Sequence, residues 1–402
     1  MIGLGIIIPI LPLYVHRLGA SGTAIGFVFA AFSIPRIIGS PLLGYISDRI
    51  GRRRLILLGL LGFTVVSFLY VIAATIWQLA AVRFLQGIAA AMVLPVAQAY
   101  IGDITPPGKE GQYMNFFFSS MFIGIAIGPL LGGTLGTMWS ADAAFYAMGA
   151  LSFIALVFTF LYVPEDRKSV VKRKDSTFAR SPMPIGKIVR NDAVKAICFY
   201  VATRGFWRQG FSAFFPLFAV TAMGVSEVGI GVILSVYLFT EGLSQIPFGY
   251  LADRYPRLPQ IVLGSVLAPV MLFAVPFVDQ IWIIVLIVIF MGWWSALARA
   301  SLLAIRTDIG RTYGMGTVAG LQSGAFSTGQ VFGPLAFGVI ADLWGVNAVF
   351  ALGGVVGMVG SIFVIFWMRR WQRSVEPTAF AAAVEKQPVT GLYGKPREQL
   401  RK

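Results

Sequence analysis

The chain has 402 residues, of which 57% are hydrophobic and only 12% are charged, and its mean hydropathy is +0.80. A soluble domain carries roughly 25% charged residues, so this composition excludes an ordinary soluble protein and predicts a chain that crosses a membrane several times. The single cysteine and single histidine exclude an internal disulfide and metal sites built from cysteine or histidine clusters. The sequence also lacks the glycine-rich phosphate-binding motif of ATPases. We therefore expect a protein that is not an enzyme and needs no metal or cofactor.

Apolar segments of membrane-spanning length follow one another along the whole chain. A span needs about 20 apolar residues, and twelve candidates begin near residues 1, 21, 55, 78, 112, 143, 193, 227, 258, 280, 315 and 345. They predict an all-α membrane protein with twelve transmembrane helices in two six-helix bundles, at 1–163 and 193–369. A cytoplasmic linker at 164–192 joins the bundles, and a cytoplasmic tail occupies 370–402.

The positive charges predict the orientation of the chain. With the N-terminus in the cytoplasm, the cytoplasmic connections and tail contain 25 Lys and Arg residues, whereas the outer connections contain only Arg17. This excess is the positive-inside signal, so we expect a multi-pass protein of the inner or plasma membrane with both termini in the cytoplasm. It also explains the net charge of +15 without a nucleic-acid partner. The expected partners are the lipid bilayer, protons and a small-molecule substrate, and a monomer is expected to suffice.

The second half of the sequence repeats the first at an offset of 205 residues. The offset aligns rare residues as well as common ones: Asp48 with Asp253, Trp77 with Trp282, Asp103 with Asp308, Pro129 with Pro334, and Trp139 with Trp344. Halves repeated in the same direction are typical of transporters that bind substrate between the halves near the membrane midplane. The seventh span starts near Ala193, so its first-half counterpart would start before residue 1. We therefore expect the first span to be truncated, or its start misassigned, by roughly 10–15 residues.

Three motifs stand in corresponding places of the predicted spans. A segment rich in glycine and arginine, 44–54, joins the second and third spans, and its copy at 249–257 lacks the later glycine. The fourth span contains Arg83 followed by Gly87, and the fifth contains G-x-x-x-G-P-x-x-G-G at 124–133. Small residues spaced in this way let two membrane helices approach closely.

Together these motifs resemble those of the major facilitator superfamily, in particular its twelve-span drug/proton antiporter branch, which includes tetracycline exporters. The resemblance covers about residues 1–370. It implies a gating role for Gly44, Asp48, Arg49, Gly51, Arg52, Gly249, Asp253 and Arg254. It implies an antiporter-type helix motif at Gly124, Gly128, Pro129, Gly132 and Gly133, and a link to proton coupling at Arg83. The alternatives are a topological anchor for the loop and, for Arg83, snorkelling to water.

Charged residues within spans are costly and point to function. Five arginines and one acid lie there: Arg36, Arg83, Arg204, Arg208, Arg299 and Glu241. Because Arg36 and Glu241 are 205 residues apart and occupy equivalent places, we expect Glu241 to face Arg36 and Arg204, while Arg299 lies nearer the cytoplasm and can snorkel. Arg36, Arg83, Arg204, Arg208 and Glu241 are the candidates for substrate binding and proton coupling, with a latch between the bundles as the alternative. Ten aromatic residues crowd the fifth, seventh and tenth spans, and most are expected to face lipid or the core while some form an apolar wall: Phe116, Phe117, Phe118, Phe206, Trp207, Phe211, Phe214, Phe215, Trp293 and Trp294.

The sequence thus favours a secondary active transporter that works by alternating access, most of all one for proton-coupled efflux of amphipathic drugs or other small organic molecules. One alternative is an organic-anion uptake or exchange carrier that uses the arginine-lined site. Another is a non-transporting membrane receptor. Outward drug movement that a protonophore abolishes distinguishes the first from the other two.

Overall fold

The computed structural model describes residues 1–106, 110–164, 185–313 and 315–385, and some side chains within these ranges, including those of Asp48 and Arg49 and those of 374–385, lie outside the description. The described residues form thirteen α-helices and a short 3-10 turn at Val275–Phe277. The helices are α1 (Ile2–Arg17), α2 (Gly22–Ile50), α3 (Arg52–Ile72), α4 (Ile76–Ile104), α5 (Glu110–Met138), α6 (Ala141–Tyr162), α7 (Ile185–Arg190), α8 (Asp192–Met223), α9 (Glu227–Arg254), α10 (Arg257–Ala274), α11 (Ile281–Tyr313), α12 (Met315–Trp344) and α13 (Val346–Glu385).

The sequence repeat is also a repeat of helices. Five helices of the first half, α2 to α6, begin 205 residues before their counterparts α9 to α13. The capping residues repeat too. Ser21 accepts a hydrogen bond from Ala24 N at the start of α2, and Ser226 accepts one from Gly229 N at the start of α9. Serine at this position satisfies a backbone donor that the helix itself leaves unpaired. The same local signals therefore set the same helix boundaries in both halves.

Ten of the described helices are long and apolar enough to cross a membrane. The two remaining long helices are α1, which has 16 residues, and α8, which has 32. The polar side chains of Arg204, Arg208 and Gln209 lower the hydropathy of α8, and they belong to the site described below. With α1 and α8 the helices account for the twelve expected spans. α13 continues to Glu385, beyond the span end expected near residue 369.

The two halves touch at the end of the molecule where α2 and α9 begin, here called the closed end. There α2 packs against α12, and α5 packs against α9. A Cβ atom added at Gly26 would collide with the carbonyl oxygen of Pro334, and one added at Gly231 would collide with that of Pro129. These two contacts are related by the offset of 205, so the glycines and prolines of the repeat form a pair of equivalent helix crossings.

Several glycines at the opposite end, here called the open end, have no close neighbour among the described residues. Gly44 and Gly249 lie there, near the C-terminal ends of α2 and α9, and a Cβ atom added at either would meet no described atom within 4 Å. The same is true of Gly320 and Gly324 on α12. The chain turns sharply between α2 and α3 at this end, where Gly51 has a φ of +98° that other residues rarely adopt. Pro256 stands at the equivalent place before α10, so the second turn is built without glycine.

Candidate functional site

A cavity of about 430 Å³ lies between the two halves, within the range of small-molecule sites. Much of its wall is apolar, and its aromatic residues are Phe29, Phe32, Phe63, Phe122 and Phe326 together with Tyr237. None of these belongs to the aromatic set expected from the sequence. Three of the expected residues, Phe211, Phe214 and Phe215, lie fully buried in the core instead.

The charged side chains that line the cavity are all basic. They are Arg36, Arg83, Arg204, Arg208 and Arg299. No aspartate or glutamate is among the described residues of the wall. Within the described part of the chain, no group of three or more histidine, cysteine or acidic side chains is placed to hold a metal ion.

Glu241 lies just behind this wall, fully buried on α9. Its Oε1 accepts a hydrogen bond from Arg204 Nη2 and lies 3.6 Å from Arg299 Nη1, and its Oε2 lies 3.5 Å from Arg208 Nε. Arg204 also donates from Nε to Ser295 Oγ over 3.0 Å. Burying an isolated carboxylate is costly, and the three guanidinium groups supply the counter-charge that makes this position tolerable.

The position of Arg299 corrects the expectation that it snorkels toward the cytoplasm. The apolar run before Arg299 ends at residue 298, which suggests the end of a span there, but α11 runs on to Tyr313. Arg299 is therefore well inside the helix, level with Glu241. Its guanidinium lies 4.8 Å from the ring centre of Phe122 on α5, so the cluster also contacts the other half of the protein.

The expectation that Arg36 pairs with Glu241 is wrong. Arg36 Nη1 donates to Gln330 Oε1 over 3.1 Å, and Gln330 Nε2 donates to Gln209 Oε1, also over 3.1 Å. The offset of 205 makes Arg36 and Glu241 equivalent, but equivalent residues lie on opposite sides of the axis that relates the halves. Arg36 therefore faces α12, whereas Glu241 faces the arginines of α8 and α11.

Arg83 is buried rather than snorkelling to water, since the phenylalanines of α2 cover it. Its Nη1 donates to Gln86 Oε1 over 2.9 Å, and its guanidinium lies 4.9 Å from the ring centre of Phe29 and 5.5 Å from that of Phe32. Tyr70 donates to the same Gln86 oxygen over 2.8 Å. These contacts hold Arg83 beside the cavity, in the half that does not contain Glu241.

The glycine motif of α5 packs against two neighbouring helices, α1 and α9. Gly128 and Gly132 meet the backbone of α1 at Gly5 and Ile6, and Gly124 meets its first residues. Pro129 and Gly133 instead meet α9 at Gly231 and Glu227. The motif therefore fixes one helix of its own half and one of the other half. The copy on α12 does the same, since Gly329 and Gly333 meet α8, and Gly338 meets α2.

An ion pair in each half braces the turn at the open end. Arg52 Nε contacts Asp103 Oδ2, and the equivalent Arg257 Nη1 lies 2.5 Å from Asp308 Oδ2. The offset of 205 aligns Arg52 with Arg257 and also aligns the two aspartates, so the sequence repeat could have predicted these ion pairs. Arg254 donates to Tyr250 on its own helix over 2.8 Å, and Asp253 is exposed. The expected roles of the Asp48 and Arg49 side chains fall outside the described residues.

Polar contacts join the halves toward the closed end, among them a hydrogen bond from Leu130 N to Ser235 Oγ over 3.0 Å, and sequence reasoning missed them. Asp342, at the end of α12, accepts hydrogen bonds from Gly22 N (2.6 Å), Thr23 N (2.8 Å) and Thr23 Oγ1 (2.6 Å) at the start of α2. Arg17 contacts Glu227 at the start of α9. The repeat hides these contacts because the residue equivalent to Asp342 is Thr137, so the two interfaces differ here.

Comparison with known proteins identifies the family to which this chain belongs. The model of the Major Facilitator Superfamily matches residues 1–229 and again 197–399. The chain belongs to the major facilitator superfamily. This facilitator chain is 28% identical to multidrug resistance protein 1 of Bacillus subtilis over 376 residues, which cover 91% of it and 92% of the relative. It is 26% identical to quinolone resistance protein NorA of Staphylococcus aureus over 349 residues, which cover 85% and 87% of the two chains.

A solved structure shares the fold of this facilitator chain. It is a bacterial homologue of the human lysosomal transporter Spinster, in an inward-facing and occupied conformation. The two superpose with a TM-score of 0.72 at 15% identity, over 93% of each chain. The protein is accordingly a multi-pass integral membrane transporter of small molecules with the two-bundle, twelve-helix fold, and not an enzyme.

Proposed function

We propose that this transporter exports amphipathic small organic molecules in exchange for protons, by alternating access. The observation that carries the proposal is Glu241, a buried carboxylate within a helix interior, held by three arginines in the wall of a mostly apolar cavity. The names of the relatives, which refer to multidrug and quinolone resistance, support export as the direction.

The two ends of the molecule support alternating access. Backbone contacts at Gly26 and Gly231 seal the closed end, whereas a Cβ atom added at Gly44 or Gly249 would meet no described atom within 4 Å. The arginines of the turns, among them Arg52, lie at the open end, and the positive-inside rule assigns that end to the cytoplasm. In this orientation both termini are cytoplasmic, and the described state is open to the compartment from which substrate is taken.

Antiport requires that the proton and the substrate occupy the protein alternately. Three guanidinium groups lie within hydrogen-bond or ion-pair distance of the Glu241 carboxylate. A proton on Glu241 would remove the negative charge that these cations share, and they would then repel one another. The arrangement of α8, α9 and α11 is therefore stabilised by the ionised carboxylate, and in this proposal the proton leaves to the cytoplasm as substrate binds.

The remaining predicted sites take supporting roles in this proposal. The glycines of the α5 motif, such as Gly133, let the halves rock against each other at the closed end. The segments around Gly51 and Gly249, with Arg52, Asp48 and Arg49, close the open end in the opposite state. The two bundles, 1–163 and 193–369, move as units within a single monomer.

Export by everted membrane vesicles tests the proposal. Tetracycline and the fluoroquinolone ciprofloxacin are offered outside vesicles with an acidic lumen, and accumulation is compared for the natural protein, Glu241→Gln and Asp279→Asn. Asp279 is an exposed acid remote from the cavity and serves as the matched control. We expect accumulation that a protonophore and Glu241→Gln abolish and Asp279→Asn leaves intact. Accumulation unchanged by both the protonophore and Glu241→Gln would refute proton coupling through Glu241.

A second candidate is an organic-anion uptake or exchange carrier, favoured by the basic lining of the cavity. It differs from export in its driving force. Anion counterflow that continues in the presence of a protonophore would select it.

A further inference from the structure

We propose that the cavity binds amphipathic organic anions, whose carboxylate or other oxyanion is held between Arg208 and Arg299 while Arg204 continues to neutralise Glu241. The inference rests on the proposed function in taking this cavity as the transport site, and it names the chemical class of the substrate. Its basis is the unequal way in which the three arginines are used.

Arg204 is committed to the protein. Its side chain is only 6% exposed, and it bonds both Glu241 and Ser295. One carboxylate and one guanidinium form a neutral pair, so Arg204 alone suffices to balance the charge of Glu241. The other two arginines are then surplus positive charges.

Arg208 and Arg299 keep donors free for a ligand. Their side chains are 20% and 28% exposed, and their distances to Glu241 are 3.5 and 3.6 Å, longer than a good charged hydrogen bond. Arg208 Nε faces Glu241 Oε2 at 3.5 Å, and neither of these buried atoms makes a hydrogen bond among the described residues. Buried donors without partners are rare in proteins and call for a ligand, ion or water.

A positively charged ligand would meet the opposite situation. Glu241 does not line the cavity, because the arginines stand between it and the bound molecule. A cation entering the cavity would therefore face guanidinium groups and no acidic side chain of the described wall. Electrostatic complementarity in such a partly dehydrated site selects an anion, or a zwitterion that presents its anionic group to the arginines.

The residues around Arg208 and Arg299 suit a ligand whose anionic group is attached to an aromatic ring system. Phe122 lies under Arg299, and Phe32 lies under Arg36, whose guanidinium is 5.1 Å from the ring centre. Tyr237 also lines the cavity, and its buried hydroxyl has no hydrogen-bond partner among the described residues. The wall thus offers aromatic faces beside guanidinium groups, and Arg36 adds a cation from the other half.

Binding of three related fluorophores to the purified protein in lipid nanodiscs tests the inference. Dansylglycine carries a carboxylate, dansylamide is neutral and dansylcadaverine carries an ammonium group, while all three share one aromatic body. We expect dansylglycine to bind at least about tenfold more tightly than dansylcadaverine, which corresponds to one favourable charged contact. Arg208→Gln and Arg299→Gln should each weaken dansylglycine about tenfold and leave dansylamide unchanged.

Arg190→Gln is the matched control, since Arg190 is exposed on α7 away from the cavity and its loss should change none of the three affinities. Arg208→Lys and Arg299→Lys, which keep the charge, should retain most of the preference for dansylglycine. Equal or tighter binding of dansylcadaverine by the natural protein would overturn the inference, whatever the variants do. So would variants that weaken all three ligands alike. If dansylglycine binds as expected but vesicles show no proton-dependent export, the proposed function fails and the anion site stands.

Discussion

Replacing Asp342 with asparagine is expected to weaken the contact that holds the closed end together. Asp342 belongs to the second half, yet it accepts three hydrogen bonds from the first turn of α2 in the first half. Asparagine keeps one acceptor oxygen but loses the negative charge and the second oxygen. The equilibrium should therefore shift toward the state in which this end is open.

The size of the shift follows from the exposure of the contact. A negative charge at an exposed helix N-terminus contributes about 0.3–1 kcal/mol, and exchanging the second acceptor for an amide group adds a few tenths. A total of about 1 kcal/mol corresponds to roughly a fivefold change in the ratio of the two states. Arg17, whose side chain is 63% exposed in its pair with Glu227, should contribute less, because surface ion pairs are worth about 0–1 kcal/mol.

Electron-electron distance measurements between two spin labels can detect this change. Trp77 and Trp282 are exposed, equivalent positions at the closed end of the two halves, and Cys198, the one native cysteine, would first be replaced by serine. Asp342→Asn should raise the population with the longer label separation, and the control Asp279→Asn should not. An unchanged distance distribution in Asp342→Asn would refute the reasoning that Asp342 stabilises the closed end.

Three further predictions follow from the packing. Arg52→Gln should lower the free energy of unfolding by about 3 kcal/mol, and Arg257→Gln should lower it by less than about 1 kcal/mol. The two ion pairs are equivalent, but only the first is buried. Equal decreases in melting temperature for the two variants in detergent would contradict this. Gly26→Ala should separate the spin labels at the closed end because its methyl group meets the α12 backbone, whereas Gly320→Ala should not; identical label distances would count against it. Tyr237→Phe removes a buried hydroxyl without a described partner, so it should leave the melting temperature unchanged or higher. A clear decrease in melting temperature would show instead that the hydroxyl makes a hydrogen bond.

The fold could be predicted from the sequence because its signals are local and repeated. Apolar length predicts the spans, and the offset of 205 predicts which helices correspond. Serine at 21 and 226 and glycine at 51 mark helix ends through backbone chemistry that does not depend on the rest of the fold. These features therefore needed no knowledge of how the helices are arranged around one another.

The site was predicted less well because it depends on helix rotation and depth. Glu241 and Arg204 could be paired from their depth alone, but Arg299 was assigned a wrong depth because α11 extends past the apolar run. Arg36 was assigned a wrong partner because sequence equivalence does not mean proximity across the axis between the halves. The contacts of Asp342 break the repeat, so no comparison of the halves could reveal them.

Substrate-induced proton release is the most direct test of the claim that Glu241 couples export to protons. Ciprofloxacin would be added to the purified transporter in weakly buffered detergent solution while the pH is recorded, for the natural protein and for Glu241→Gln. The account predicts that the natural protein releases protons as the drug binds and that the Gln variant releases none above the background of the drug itself. Proton uptake by the natural protein, or equal release by the two proteins, would contradict it.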